Sequence, residues 1–92
     1  MNIEFTKIRP NKAKSAKGFT VVFTPPAGVD YIDASGKKTH VGTELYQAPL
    51  RHVLYPDSKD LRSLTSTEAA EILGDISRAM AFLGQPAEIF QE

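Results

Sequence analysis

TSTEAAEILGDISRAMAFLG, Thr65 to Gly84, carries both ends of a helix in its own text. Thr65 and Glu68 have the spacing of a capping box, in which the threonine hydroxyl accepts from the Glu68 amide and the carboxylate reaches back to the Thr65 amide. Apolar residues then recur at Ala69, Ile72, Leu73, Ile76, Ala79, Met80 and Leu83, one stripe at helical spacing. Gly84 supplies the left-handed residue that closes a helix, and Pro86 prevents continuation. The reading is a helix over 66–83, within the segment 65–84, that needs an apolar face to lie on. Its other two faces differ in character. Ala70, Gly74, Ser77 and Ala81 make a small-residue stripe, while Glu68, Glu71, Asp75 and Arg78 make a charged one. A mid-helix glycine costs about 1 kcal/mol relative to alanine, so Gly74 marks either a close approach or a tolerated exposed site. Phe82 falls among the charged residues. The expectation is that the tail "AEIF" folds back over it, with a partner contact as the alternative.

The apolar face comes from upstream. In "GFTVVFT", residues 18–24, Phe19, Val21 and Phe23 alternate with Thr20, Val22 and Thr24, the period of a strand with one buried side. "NIEFTKI" alternates in the same way, and between the two runs the polar stretch from Arg9-Pro10-Asn11 to Lys17-Gly18 reads as the long loop of a hairpin. Pro25-Pro26-Ala27-Gly28 ends the second strand, since proline cannot donate to a ladder. "VDYID" and "KTHVGTELYQ" flank Ala34-Ser35-Gly36 as a second hairpin, with Gly42 suggesting a bulge in the returning strand. "LRHVLY" follows, closed by Pro56-Asp57-Ser58. The expected architecture is α+β: an antiparallel β-sheet of four to six strands, with one C-terminal α-helix packed on the face built from Ile3, Phe5, Phe19, Val21 and Phe23. One domain spans 1–92, with β hairpins over 1–55 and a short strand or tail over 86–91.

Composition narrows the function classes. With 41% hydrophobic and 24% charged residues, the chain lies far from the signature of disorder. It has no cysteine, which removes disulfides, thiol nucleophiles and Cys-type zinc sites. The start, Met-Asn-Ile-Glu-Phe-Thr-Lys, lacks a secretory pattern, and no apolar run approaches the ~18 residues of a membrane span; a cytoplasmic protein with no membrane contact is expected. Formal charge is zero but divided. Residues 1–18 hold five bases against Glu4, and residues 19–92 hold six bases against ten acids.

No catalytic constellation emerges. His52 lies on one face of a strand, the setting of a half-buried structural histidine. His40 precedes Glu44 by four residues, which in a strand spans about 13 Å. The serines sit in turn or cap contexts, and the glycines are scattered rather than gathered into a phosphate loop. The expectation is therefore a non-enzymatic protein with no cofactor, metal or catalytic residue. Two binding readings remain. In the first, the acidic helix edge docks a protein partner through Asp57, Asp60, Glu68, Glu71, Asp75 and Phe82, with charge complementarity speeding encounter. In the second, Lys7, Arg9, Lys12, Lys14 and Lys17 neutralise nucleic-acid phosphates, although no aromatic is interleaved with them for base stacking. Either suits a monomer or a homodimer.

The run from Val53 to Phe90 resembles the C-terminal part of small α+β immunity proteins from bacterial polymorphic toxin systems. There a strand ends in tyrosine, a serine and a large apolar residue follow, and a Thr-capped, Glu-bearing helix closes as Phe-x-Gly. The matching positions are Tyr55, Ser58, Leu61, Thr65, Glu68, Phe82 and Gly84, with Leu61 where the pattern has tryptophan. The resemblance implies a cytosolic inhibitor that binds and blocks a toxin, without catalysis. Small phage-encoded inhibitors of bacterial defence look similar in size and in lack of motifs, which makes a defence-system component the other partner class.

Overall fold

The computed structural model describes residues 4–25, 28–47 and 50–90. Ile3, Pro26, Ala27 and residue 91, used above, lie outside them. The chain is α+β. Strands β1 (Phe5–Arg9), β2 (Lys12–Ser15), β3 (Thr20–Thr24), β4 (Gly28–Ile32) and β5 (Lys38–Val41) form an antiparallel meander in that order. A second sheet has the order β6 (Thr43–Gln47), β7 (Leu50–Leu54) and β8 (Ala87–Ile89), with β8 parallel to β7. Between β7 and β8 come a one-turn helix α1 (Lys59–Arg62) and the long helix α2 (Ser66–Phe82).

Helix α2 starts and stops where its residues dictate. Both halves of the Thr65–Glu68 capping box are present, and the last carbonyls are satisfied by a Schellman arrangement. The Gln85 N–H donates to the Met80 carbonyl at 2.8 Å and the Gly84 N–H to that of Ala81 at 3.1 Å, made possible by a φ of 79° at Gly84. The helix buries Leu73, Ile76, Ala79 and Met80 against Phe5, Ala13, Val21, Phe23 and Val29 of the large sheet and Leu54 of the small one. Each large side chain so buried contributes about 1.5–3 kcal/mol.

Three expectations need correction. The stretch 9–18 is not one long loop. A tight turn at Pro10-Asn11 returns the chain into β2, and Asn11 Nδ2 donates to the Phe23 carbonyl at 2.9 Å, locking the turn to β3. The buried side of β2 consists of Ala13 and Ser15, too small and too polar to register as an apolar alternation. Second, "KTHVGTELYQ" is two strands in two sheets, divided at Gly42. The Gly42 N–H donates to Ser58 Oγ at 2.9 Å, the Ser58 hydroxyl donates to the Tyr55 carbonyl at 2.6 Å, and the Tyr55 N–H donates to the Gly42 carbonyl at 2.9 Å. That ring of bonds fixes the corner between the sheets. Third, the tail does not cover Phe82. It forms β8 on β7, and Phe90 lays its ring 5.3 Å from that of Tyr55. Of the two readings of Gly74, the tolerated glycine holds: a Cβ there would meet only the Arg78 guanidinium, at 3.6 Å, while further along the small-residue stripe the Ser77 hydroxyl donates to the Ala87 carbonyl of this strand at 3.3 Å.

Candidate functional site

The acidic residues singled out in the sequence take separate places. Glu68 accepts the Thr65 N–H at 3.2 Å, and the hydrogen bonds from Thr65 hold its carboxyl below the usual carboxylate range. Asp60 accepts the His40 N–H at 2.8 Å, so α1 covers the outer edge of β5. Asp75 is only 9% exposed. It accepts the Tyr31 hydroxyl at 3.1 Å and pairs with Arg78, whose Nε also meets Glu4 at 2.7 Å. Burial first, and the Asp75 charge second, push the Tyr31 hydroxyl up to about 12. Glu71 and Asp57 are exposed. Phe82 is 44% exposed, with its ring 5.7 Å from that of Phe5. Three of the five acids thus have intramolecular duties, and Glu71, Asp57 and Phe82 are what that reading leaves at the surface.

The basic residues divide by sheet face. Residues paired across strands project to the same side, and Lys7 pairs with Ala13, which lies in the row of Val21 and Tyr31 on the helix-bearing side. Two rows project to the other side. One runs Thr6, Lys14, Thr20, Ile32, Lys38, and the other Arg9, Lys12, Val22, Asp30, His40. Arg9 reaches its row through a shift in register between Lys7 and Arg9. Without that bulge it would pair one residue further on and point with Lys7. Lys17 lies in the turn before β3. Lys38, which no pattern in the basic stretch signals, joins the face through the meander.

The outer face of the small sheet gathers a different set. Tyr46 pairs with Arg51, Glu44 with Val53, and Val53 with Glu88. Tyr55 and Phe90 follow two residues after Val53 and Glu88. The Arg51 guanidinium lies 5.1 Å over the Tyr46 ring, and its Nε stands 3.4 Å from Glu88. Tyr55 donates its hydroxyl to Glu44, which raises it above the ordinary tyrosine range and keeps it protonated, and the Tyr46 hydroxyl stands 3.4 Å from it. A hollow lined by Arg51, Val53, Ser77, Glu88 and Phe90 opens beside this network. Sequence reasoning missed the surface because its members come from three strands, one of them more than thirty residues downstream of the others. The available signal was the alternation of Arg51, Val53 and Tyr55 in "LRHVLY".

Both histidines are held by neighbours. His40 Nδ1 lies 2.7 Å from Asp30. His52 packs edge-on to Phe23 at 4.9 Å and hydrogen-bonds Gln85 at 2.9 Å. Among the described residues no three His, Asp or Glu side chains converge as a metal site, and no helix is long and apolar enough to cross a membrane. Comparison with protein-family models, curated proteins and solved structures finds no match.

Proposed function

We propose that the chain is a non-enzymatic binding protein that neutralises a protein partner, a toxin or a defence-system component, by one-to-one surface occlusion. The observation that carries this reading is the outer face of the small sheet. Tyr and Arg dominate the few residues that hold most of the energy of protein interfaces, and here Tyr46, Arg51, Tyr55 and Phe90 share one face. Their mutual contacts restrict their rotamers before any partner arrives, which lowers the ordering cost of association. Glu44 and Glu88 supply a polar frame around them. The immunity-protein resemblance of Val53 to Phe90 supports the same reading, since Tyr55 belongs to both.

The experiment is affinity capture from the native host, followed by light scattering of the purified complex. A single partner at one-to-one stoichiometry is expected. Arg51→Ala with Tyr55→Ala should weaken it by at least ~30-fold, the scale of a hot spot of about 2 kcal/mol. Glu71→Lys with Phe82→Ala should leave affinity within about threefold. The reverse pattern would return the contact to the acidic helix edge, and a partner indifferent to both variants would refute occlusion by either surface.

A further inference from the structure

The open face of the large sheet is chemically unlike the surface just described. Arg9, Lys12, Lys14 and Lys38 lie in its two outward rows, and none of the four forms an ion pair among the described residues. The acid on those rows, Asp30, is engaged by His40 at 2.7 Å. Strand geometry puts Lys12 and Lys14 about 7 Å apart, and Lys14 about 14 Å from Lys38 across three strand spacings. Thr6 and Thr20 add hydroxyl donors between the cations. The bulge before Arg9 has a consequence for charge: it turns a fourth cation outward that regular pairing would send to the helix side.

From this we infer that the open face of the large sheet binds nucleic acid through its phosphodiester backbone, without reading bases. Lysine is depleted at protein–protein contacts, and three of the four cations are lysines. Lysines, an arginine and hydroxyls are the groups that meet phosphate oxygens. The two rows contain no phenylalanine, tyrosine or tryptophan, and their one ring, His40, is engaged by Asp30 at 2.7 Å, so there is no run of stacking rings for successive bases and recognition rests on the backbone. The site is distinct from the small-sheet surface and does not rest on the protein-binding reading.

The test is fluorescence anisotropy of the full chain with a labelled 20-nucleotide single strand and a 20-base-pair duplex, from 20 to 200 mM salt. Binding is expected with dissociation constants on the order of 10⁻⁴ to 10⁻⁶ M and a log–log salt slope of about −3 for four phosphate contacts. The probe bound more tightly at equal salt is the preferred backbone. Lys12→Glu with Lys14→Glu, its fold checked by circular dichroism, should lose roughly 30-fold and flatten the slope by about two contacts. Lys38→Glu should lose about one contact. Lys7→Glu with Lys17→Glu changes net charge by the same amount away from the face and should stay within about threefold. No complex at 20 mM salt would overturn the inference, as would equal sensitivity to the two double variants. Displacement by poly-glutamate as effective as by unlabelled DNA would overturn it in favour of an acidic protein ligand.

Discussion

Replacing Asp75 with alanine separates a surface acid from a structural one, because a helical wheel places Asp75 beside Glu71 and the fold does not. Asp75 is 9% exposed and accepts the Tyr31 hydroxyl at 3.1 Å. Its loss strands that hydroxyl and removes one of two carboxylates around Arg78. A hydrogen bond to a charged group contributes about 1.5–3 kcal/mol. Arg78 keeps Glu4 at 2.7 Å and is itself 47% exposed, so the penalty stays below the ~3–5 kcal/mol of a fully buried broken pair. The expected loss for Asp75→Ala is therefore about 2–3 kcal/mol, against a total stability of roughly 5–14 kcal/mol for a chain of this length. At about 4–8 °C per kcal/mol, thermal unfolding should fall by at least ~8 °C. Glu71→Ala should stay within about 0.5 kcal/mol of wild type. A double-mutant cycle with Tyr31→Phe should return a coupling of about 1–2 kcal/mol. Alkaline titration gives an independent reading. The folded-state value of Tyr31 lies above that of the unfolded chain, so its contribution is intact below pH ~10 and is lost as pH rises through about 12. In Asp75→Ala that alkaline decline should be shallower. A loss under ~0.5 kcal/mol together with zero coupling would refute the argument.

Substitutions at three further positions test the backbone reasoning. Gly28 has φ 127°, and a Cβ there would stand 2.5 Å from the Val41 carbonyl oxygen, whereas at Gly74 it would meet only the Arg78 guanidinium at 3.6 Å; Gly28→Ala should destabilise by about 2–4 kcal/mol and Gly74→Ala should stabilise by about 0.5–1 kcal/mol, as measured by urea unfolding, and the same sign for both would contradict it. Thr65→Ala should cost about 1 kcal/mol through the lost cap while Thr65→Ser stays near wild type, and equal loss in both would show that the hydroxyl is not what caps α2.

Legibility followed the range of the interactions. Helix α2 and strand β3 could be read because their caps and alternation are local, set by residues within a few positions of one another. Strand β2 was hidden because Ala13 and Ser15, its buried side, lack apolar bulk, and their burial is decided by β3 and α2 lying over them. The division at Gly42 was hidden because the alternation runs through the glycine unbroken; the switch of sheet is imposed by Ser58 and Tyr55, more than ten residues on. Asp75 looked like an exposed acid because its partner Tyr31 is separated from it by 44 positions. The candidate surfaces suffered most. The basic face is half visible in residues 9–14, but Lys38 and the exclusion of Lys7 depend on strand register, and the aromatic face of the small sheet depends on β8.

The parallel pairing of β8 with β7 also orders events in time. Each pair in the five-stranded meander joins neighbours in the chain, so those contacts close short loops and can form while synthesis continues. In the small sheet only β6 and β7 have that route. Its third strand is separated from β7 by the whole of α2, and Tyr55 waits for Phe90 before its ring is flanked. The surface assigned to partner binding is therefore completed last, so that a nascent chain has a shaped basic face before it has a shaped aromatic one.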